Sequence, residues 1–489
     1  MKKQLKYILG LGICCMVANT SCKRSLLDPV PQTSITDATA FDTPDRILNQ
    51  VRSIYQALKN GNFYGGRYLV YGDIRADDFL NETSNNVTNY DVYNLNPTNT
   101  SQNSVKNLWA WAYHTINLAN LFMDGMAEKG TAVVGQTLSN NYLGEARLIR
   151  ALSYYSLLQL YARPYADGAG SKPGLPLRLT GIKGAGSSDL ARSTVAEVYA
   201  KIIEDLDYAE ANLPTNNGTA VLNTTRAHKN TAIALKTRVY LSMQNYAKVI
   251  SEANKIVPNT APFVASSGVA HALQADITNV FKAPYTTTES ILSMPHSTTA
   301  GDNPGTQNQL GYYWYMNGSS PGSSEYRLNP TGILANANWG VNDKRRTGLL
   351  YTNPSNNKVF VAKWTGASPY IDYVPVIRWS EVLLNLADAL ARTNAGVDAR
   401  ALALLNAVRQ RSDPSVTLAP ATQTALQDAI LLERRIEFLG EGIRNNDIMR
   451  LLATIPAKGT APSKAPSEPG YIWPISGDEL SLNRLMTDN

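Results

Sequence analysis

Two stretches of the chain share one design. Residues 228–257, ending in LSMQNYAKVISEANKIV, and residues 376–411, VIRWSEVLLNLADALARTNAGVDARALALLNAVRQR, each read as two helices joined by a short turn. Pairs of this size are those of tetratricopeptide-like repeats. One pair cannot cover its own apolar face, so pairs stack on neighbours and build a curved scaffold. The fold class expected is mostly α, a tetratricopeptide-like helical-pair scaffold packed against a loop-rich part with short strands.

Helical spacing also dominates the first half. DTPDRILNQVRSIYQALKNG offers Thr43 as N-cap and Pro44 at the first helical position, with Ile47, Leu48, Val51, Ile54, Tyr55 and Leu58 on one face and Asn60-Gly61 as the stop. Two more helices are predicted, from Ser104 to about Met126 and from about Leu138 to Ala162, the second stopped by Arg163-Pro164. Thr194 and Glu197 fit a capping box ahead of Val195, Val198, Tyr199, Ile202, Leu206 and Ala209.

Residues 258–373 differ in kind, being rich in Gly, Pro, Ser, Thr and Asn with weak periodicity. A connection of that length inside a compact protein is functional or carries short strands. Tyrosine outnumbers phenylalanine 26 to 8, which suits rings that are half wet. The cluster GYYWYMNG sets Tyr312, Tyr313, Trp314 and Tyr315 in a row, with Tyr326 and Trp339 soon after. An Asn-laden stretch, NETSNNVTNYDVYNLNPTNTSQN, carries Tyr90 and Tyr93, and Tyr64, Tyr68 and Tyr71 stand upstream. Sugars have an apolar face that stacks on such rings and a hydroxyl rim that bonds to Asn, Asp and Arg. Tyr90, Tyr93, Tyr312, Tyr313, Trp314, Tyr315, Trp339 and Asp77 are therefore the candidate ligand-binding residues. The alternative for any one ring is that it pins a loop to the scaffold; Trp109 and Trp111, on a helix, read as core.

At the N-terminus MKKQLKYILGLGICCMVA joins three lysines to an apolar run from about Tyr7 to Ala18. That is the layout of a secretory signal, and the run is shorter than the roughly twenty residues of a membrane-spanning helix. Thr20 and Ser21 precede Cys22, the last cysteine of the chain, so residues 1–21 are expected to be removed as a lipoprotein signal peptide with lipid on Cys22. The other reading is ordinary cleavage near Ala18 or Ser21, leaving a free thiol. Losing Lys2, Lys3 and Lys6 halves the net charge of +6, which argues against a nucleic-acid partner. No disulfide or thiolate metal site is open to the mature chain. His114, His228, His271 and His296 lack zinc-ligand spacing, the acidic loop lacks the DxDxDG pattern of a calcium site, and no cofactor is implied.

AILLERRIEFLGEGIRNNDIMRLL sets Glu433, Glu437, Glu441 and Arg444 near one helical face, with Asp447 following. A glycosidase needs two carboxyl groups flanking a scissile bond, about 5–10 Å apart. Side chains on one side of one helix do not flank anything, so a structural ion-pair network with Arg434, Arg435 and Arg444 is the better reading. A rival hydrolase would draw on Asp73, Asp77, Asp78 or Glu82 in YGDIRADDFLNE.

The chain resembles the SusD/RagB-like nutrient-binding lipoproteins of Bacteroidetes outer membranes. The likeness runs in order through Cys22 and LLDPVPQTSITDATAFDTPDRI, LWAWAYHTINLAN, GEARLIRALSYYSLLQLYARPY, VIRWSEVLLNLADALAR, LLNAVRQR, ERRIEFLGEGIRNNDIMRL and YIWPISGDEL. It implies a body over 22–489, with an N-terminal helical part (22–257), a loop-rich ligand-facing insertion (258–373) and a C-terminal helical part (374–489). It implies a non-enzymatic, cell-surface lipoprotein of the outer membrane that captures oligosaccharide and delivers it to a TonB-dependent SusC-like transporter. A peptide ligand, as in the RagB branch, is the variant within this class. By the same resemblance Glu433, Glu437 and Arg444 are fold determinants.

Overall fold

The computed structural model describes residues 39–489 apart from 185, 187, 188, 306, 318 and 319; the leader and Cys22 lie outside the described residues. Helix α1 (Pro44–Leu58) begins where expected, with the Thr43 hydroxyl accepting the Arg46 N–H and Ile47, Val51, Ile54 and Leu58 buried along one stripe. Helix α2 (Arg67–Ile74) leads into strand β1 (Phe79–Asn81). Helices α3 (Asn107–Gly125) and α4 (Gln136–Tyr161) follow, and the second half of α4 is buried on all sides. A helix apolar all round belongs at a centre, and α4 has α1, α3 and α5 (Val195–Asn212) packed about it. The capping box of α5 is present, Glu197 accepting the Thr194 N–H at 2.7 Å while Thr194 accepts the Glu197 N–H at 3.2 Å.

Both helix pairs form. The first is α6 (Lys229–Ser242) with α7 (Tyr246–Ala253). Strand β2 (Ser290–Met294), the short helix α8 (Leu310–Trp314) and strands β3 (Tyr326–Leu328), β4 (Leu350–Thr352), β5 (Val359–Val361) and β6 (Val374–Arg378) occupy the stretch between the pairs. The second pair is α9 (Trp379–Thr393) with α10 (Ala399–Ser412), followed by α11 (Gln423–Glu437) and α12 (Arg444–Arg450). Neighbour packs on neighbour, α4 on α5, α5 on α6, α6 on α7, α7 on α9 and α9 on α10 and α11, which is the stacked superhelix expected of such pairs.

The strands pair in twos, all antiparallel. β2 with β6 (Ser290 opposite Arg378, Met294 opposite Val374) closes the long intervening segment at its base. β1 with β3 (Phe79 opposite Leu328, Asn81 opposite Tyr326) ties that segment to the end of α2, and β4 pairs with β5. Backbone groups in a loop-rich region must find partners, and these ladders supply them. The N-terminal loop after β1 and the middle of the chain are thereby held side by side.

The tyrosine excess has a different cause from the one expected. Tyr64, Tyr71, Tyr155 and Tyr161 are buried in the helical core, and each hydroxyl is satisfied inside it: on Ser156 at 3.0 Å, the Asn103 carbonyl at 2.8 Å, Ser242 at 2.9 Å and the Val105 carbonyl at 2.6 Å. Tyr68 is buried beside them. These rings fill core volume and pin helices together. His228 and His271, distant in sequence, stack at 5.2 Å and 21° beneath Trp379.

Candidate functional site

The run read as one helical face breaks after Glu437, with Glu441 in the turn before α12, yet its carboxylates form the ion-pair network predicted, with unexpected partners. Glu433 meets Arg345 and Arg409; Glu437 meets Arg345, Arg378 and Arg411; Glu441 meets Arg378 and Lys363; Glu289 meets Arg378 and Arg411; Asp343 meets Arg345. Five acids face five bases, all buried. Burial raises the Glu437 carboxyl, but Arg411, Arg378 and Arg345 together lower it by more, so it stays well below the usual range and ionised. Arg434 and Arg435, adjacent in sequence, turn elsewhere, to Asp447 at 2.9 Å and to Asp77 at 2.8 Å and Asp78.

The acids of the rival hydrolase are likewise occupied. Asp73 is buried, its proton affinity pushed well up by burial, and it accepts the Gly442 N–H at 2.6 Å. Asp78 is held by Arg435 and the Ile333 N–H. Glu82 joins Arg327 at 2.6 Å and Lys358. None is poised as a general acid in an open cleft.

The aromatic candidates divide into core and surface. Trp314 is 0 % exposed, its ring 4.3 Å from Phe79 and 6.0 Å from Tyr326. Tyr313 is 0 % exposed, stacked on Tyr326 with its hydroxyl taking the Asn89 amide at 3.1 Å; burial pushes the phenol up to about 12. Trp339 is buried under the Arg346 guanidinium at 4.8 Å. Tyr93 is buried, with the Lys458 ammonium 4.9 Å from its ring centre. Asp77 is half-buried and committed to Arg435. The expectation that all eight face a ligand is corrected for these five. Helix α8 turns Tyr313 and Trp314 inward because β1 and β3 supply an apolar seat for them.

Tyr312 is buried too, edge-on to Tyr370, so the expectation is corrected for it as well, whereas Tyr90, Tyr315 and Tyr351 remain half-buried. The Tyr90 ring lies nearly parallel to Tyr93, 15° apart at 6.0 Å. Hydrogen bonding with Asn94, then Ser84 and Thr460, lowers the Tyr90 phenol. Tyr315 meets Tyr351 edge-on at 5.6 Å. Glu325 joins the two groups of rings: it accepts from the hydroxyls of Thr83 and Thr88, the latter at 2.7 Å, and its carboxylate faces the Tyr312 phenol. Glu325 is buried, and nearer the surface the Glu82 carboxylate, paired with Arg327 and Lys358, links the loop of Ser84 and Tyr90 to the hairpin of Tyr351.

Tyr351, Lys358 and Glu325 escaped the sequence reading. The signal for the first two was the hairpin itself, LYT and VFV flanking the turn residues NPSNN. Glu325 carried none, because its partners lie on another strand.

Comparison with known proteins decides the family. Residues 26–241 match a SusD-like family described as "Starch-binding associating with outer membrane", and residues 294–489 match the SusD family. A crystal structure of a SusD superfamily protein from Bacteroides fragilis superposes with a TM-score of 0.80 at 32% identity, over 92% of this chain and 100% of that one. The chain belongs to the SusD/RagB-like family. SusD-like protein P2 of Formosa agariphila is 25% identical over 92% of this chain and 93% of its own. Surface glycan-binding protein A of Bacteroides thetaiotaomicron, solved in complex with laminarihexaose, shares the fold with a TM-score of 0.71 at 17% identity, over 91% of this SusD-like chain and 99% of that one. No helix among the described residues is long and apolar enough to cross a membrane.

Proposed function

We propose that this SusD-like protein is a non-catalytic glycan receptor of the outer membrane, anchored by lipid on Cys22, that captures an oligosaccharide outside the cell and passes it to a TonB-dependent SusC-like transporter. The observation that carries the reading is the set of half-buried rings Tyr90, Tyr315 and Tyr351, brought together from distant parts of the chain by the β1–β3 pairing and the Glu82–Lys358 ion pair. Half-buried rings offer faces to pyranose rings while Ser84, Asn94 and Lys358 stand ready for hydroxyl groups. Each stacked ring contributes about 1 kcal/mol. A few such contacts give weak, releasable binding, which handover requires. The glycan-bound relative of the same fold and the family's outer-membrane description support the assignment.

Calorimetry of the purified protein against neutral oligosaccharides, starting with laminarihexaose, and against a peptide library tests it. Saturable binding of a glycan that Tyr90→Ala and Tyr315→Ala each weaken supports the reading; binding of peptides alone, or release of shorter sugars on long incubation, overturns it.

A further inference from the structure

Ion pairs in this protein are generally balanced, as the five acids and five bases around Glu437 show. One buried region departs from that. Arg75, immediately after α2, is 1 % exposed, and its guanidinium donates to the Tyr471 carbonyl. Its Nε and Nη1 are buried and meet no acceptor. Lys458 is 3 % exposed; its ammonium donates to the Arg75 carbonyl at 3.0 Å and otherwise faces the Tyr93 ring. The acids nearby are shared with other cations. Asp77 binds Arg435 at 2.8 Å through Oδ2 and has Arg444 at 3.9 Å from Oδ1, while Asp78 binds Arg435. Four cations, Arg75, Lys458, Arg435 and Arg444, thus share two carboxylates; Asp77 Oδ1 accepts no hydrogen bond and reaches Lys458 only through its field, and Arg75 has no ion pair.

Burying an uncompensated charge costs several kcal/mol, and an arginine cannot shed its proton to escape that cost. Burial, and then the charge of Arg75, lowers the Lys458 ammonium to about 7, the response of a cation held next to another. The surroundings restrict what could neutralise them. Arg75 bonds to the backbone of Tyr471, which with Ala76, Leu95 and Ile455 belongs to a buried apolar cluster. Desolvation cost rises steeply with charge, so a monovalent ion is favoured over sulfate or phosphate.

We infer that the buried, unpartnered Nε and Nη1 of Arg75, with the Lys458 ammonium close by, bind a small monovalent anion of the halide class. Two free N–H donors of one guanidinium supply direction, and the ammonium supplies further field. The ion would be structural. It would hold the 455–464 segment, whose Lys458 rests on Tyr93, against the end of α2, and so steady the ring on which Tyr90 stacks.

An anion that binds only the folded state raises stability in proportion to the logarithm of its concentration above its Kd. Thermal melts of the full chain at constant ionic strength, exchanging sodium gluconate for sodium chloride, should show a saturable rise in Tm with chloride. Arg75→Met and Lys458→Met should each diminish that rise. Crystals grown in sodium bromide should show an anomalous bromine peak within hydrogen-bond distance of Arg75 Nε or Nη1, which decides the matter even where a variant fails to fold. Equal Tm in both salts, or bromine peaks confined to the surface with only water beside Arg75, overturns the inference. Neither result bears on glycan binding, which is read by calorimetry.

Discussion

Arg238 in α6 and Glu381 in α9 form a buried two-pronged pair, Nε to Oε1 and Nη2 to Oε2 both at 2.6 Å, and Arg238 also donates to the Val376 carbonyl at 2.6 Å. One side chain thereby joins the first helix pair to the second and to strand β6. Burial lowers the guanidinium, and Glu381 reverses that, raising it above its ordinary value. Removing one partner strands the other in the core, so Glu381→Gln and Arg238→Met should each cost about 3–5 kcal/mol. Urea unfolding followed by circular dichroism measures this; a loss below 1 kcal/mol would show the pair to be dispensable.

Trp314 and Tyr90 should respond to substitution in opposite ways. Trp314→Ala leaves a large void between Phe79 and Tyr326 and is expected to lower stability by about 3–5 kcal/mol. Thermal melts check it.

Tyr90→Ala removes a half-buried ring and should leave Tm within a degree or two, while glycan affinity falls roughly tenfold, the equivalent of about 1.4 kcal/mol. Paired calorimetry and melting of the same variant separate the two effects.

Asp447 sets an acid limit on stability. Burial raises its carboxyl, but Arg434 and Arg450 outweigh that and hold it at about 2, against 3.8 ordinarily. A carboxylate with a lowered folded value contributes stability above the unfolded value, and the contribution is lost as pH falls through the folded one. About 2 kcal/mol should therefore disappear between roughly pH 4 and pH 2. The urea midpoint of Asp447→Asn, already low at pH 6, should show a shallower decline across that window than the parent.

The stacked histidines act at milder pH. Burial lowers His228 to about 3, helped by His271, and burial lowers His271 to about 4, both from 6.5. The unfolded chain takes up protons first, so stability should fall as pH drops from about 6.5 towards 4. His271→Phe, which keeps the ring beneath Trp379, is expected to flatten that decline in urea titrations.

The size of the helix pairs announced their stacking, and local sequence sufficed for the helices and their caps. Those features rest on contacts three or four residues apart, such as Thr43 with Arg46 and Thr194 with Glu197, so a short window holds both partners. The sequence also marked Glu433 and Glu437 as structural, because groups on one side of one helix cannot flank a bond. Tertiary structure alone decided who neutralises them: Arg345 reaches Glu433 across 88 residues, and nothing local in either segment announces that pairing. It also decided which rings are wet. Composition treats Tyr90, Tyr313 and Trp314 alike, yet the pairing of Phe79 with Leu328 and Asn81 with Tyr326 builds an apolar seat that takes in two of them and leaves Tyr90 at the surface. Burial is a property of what comes to lie opposite a residue, and that is settled only when distant strands meet.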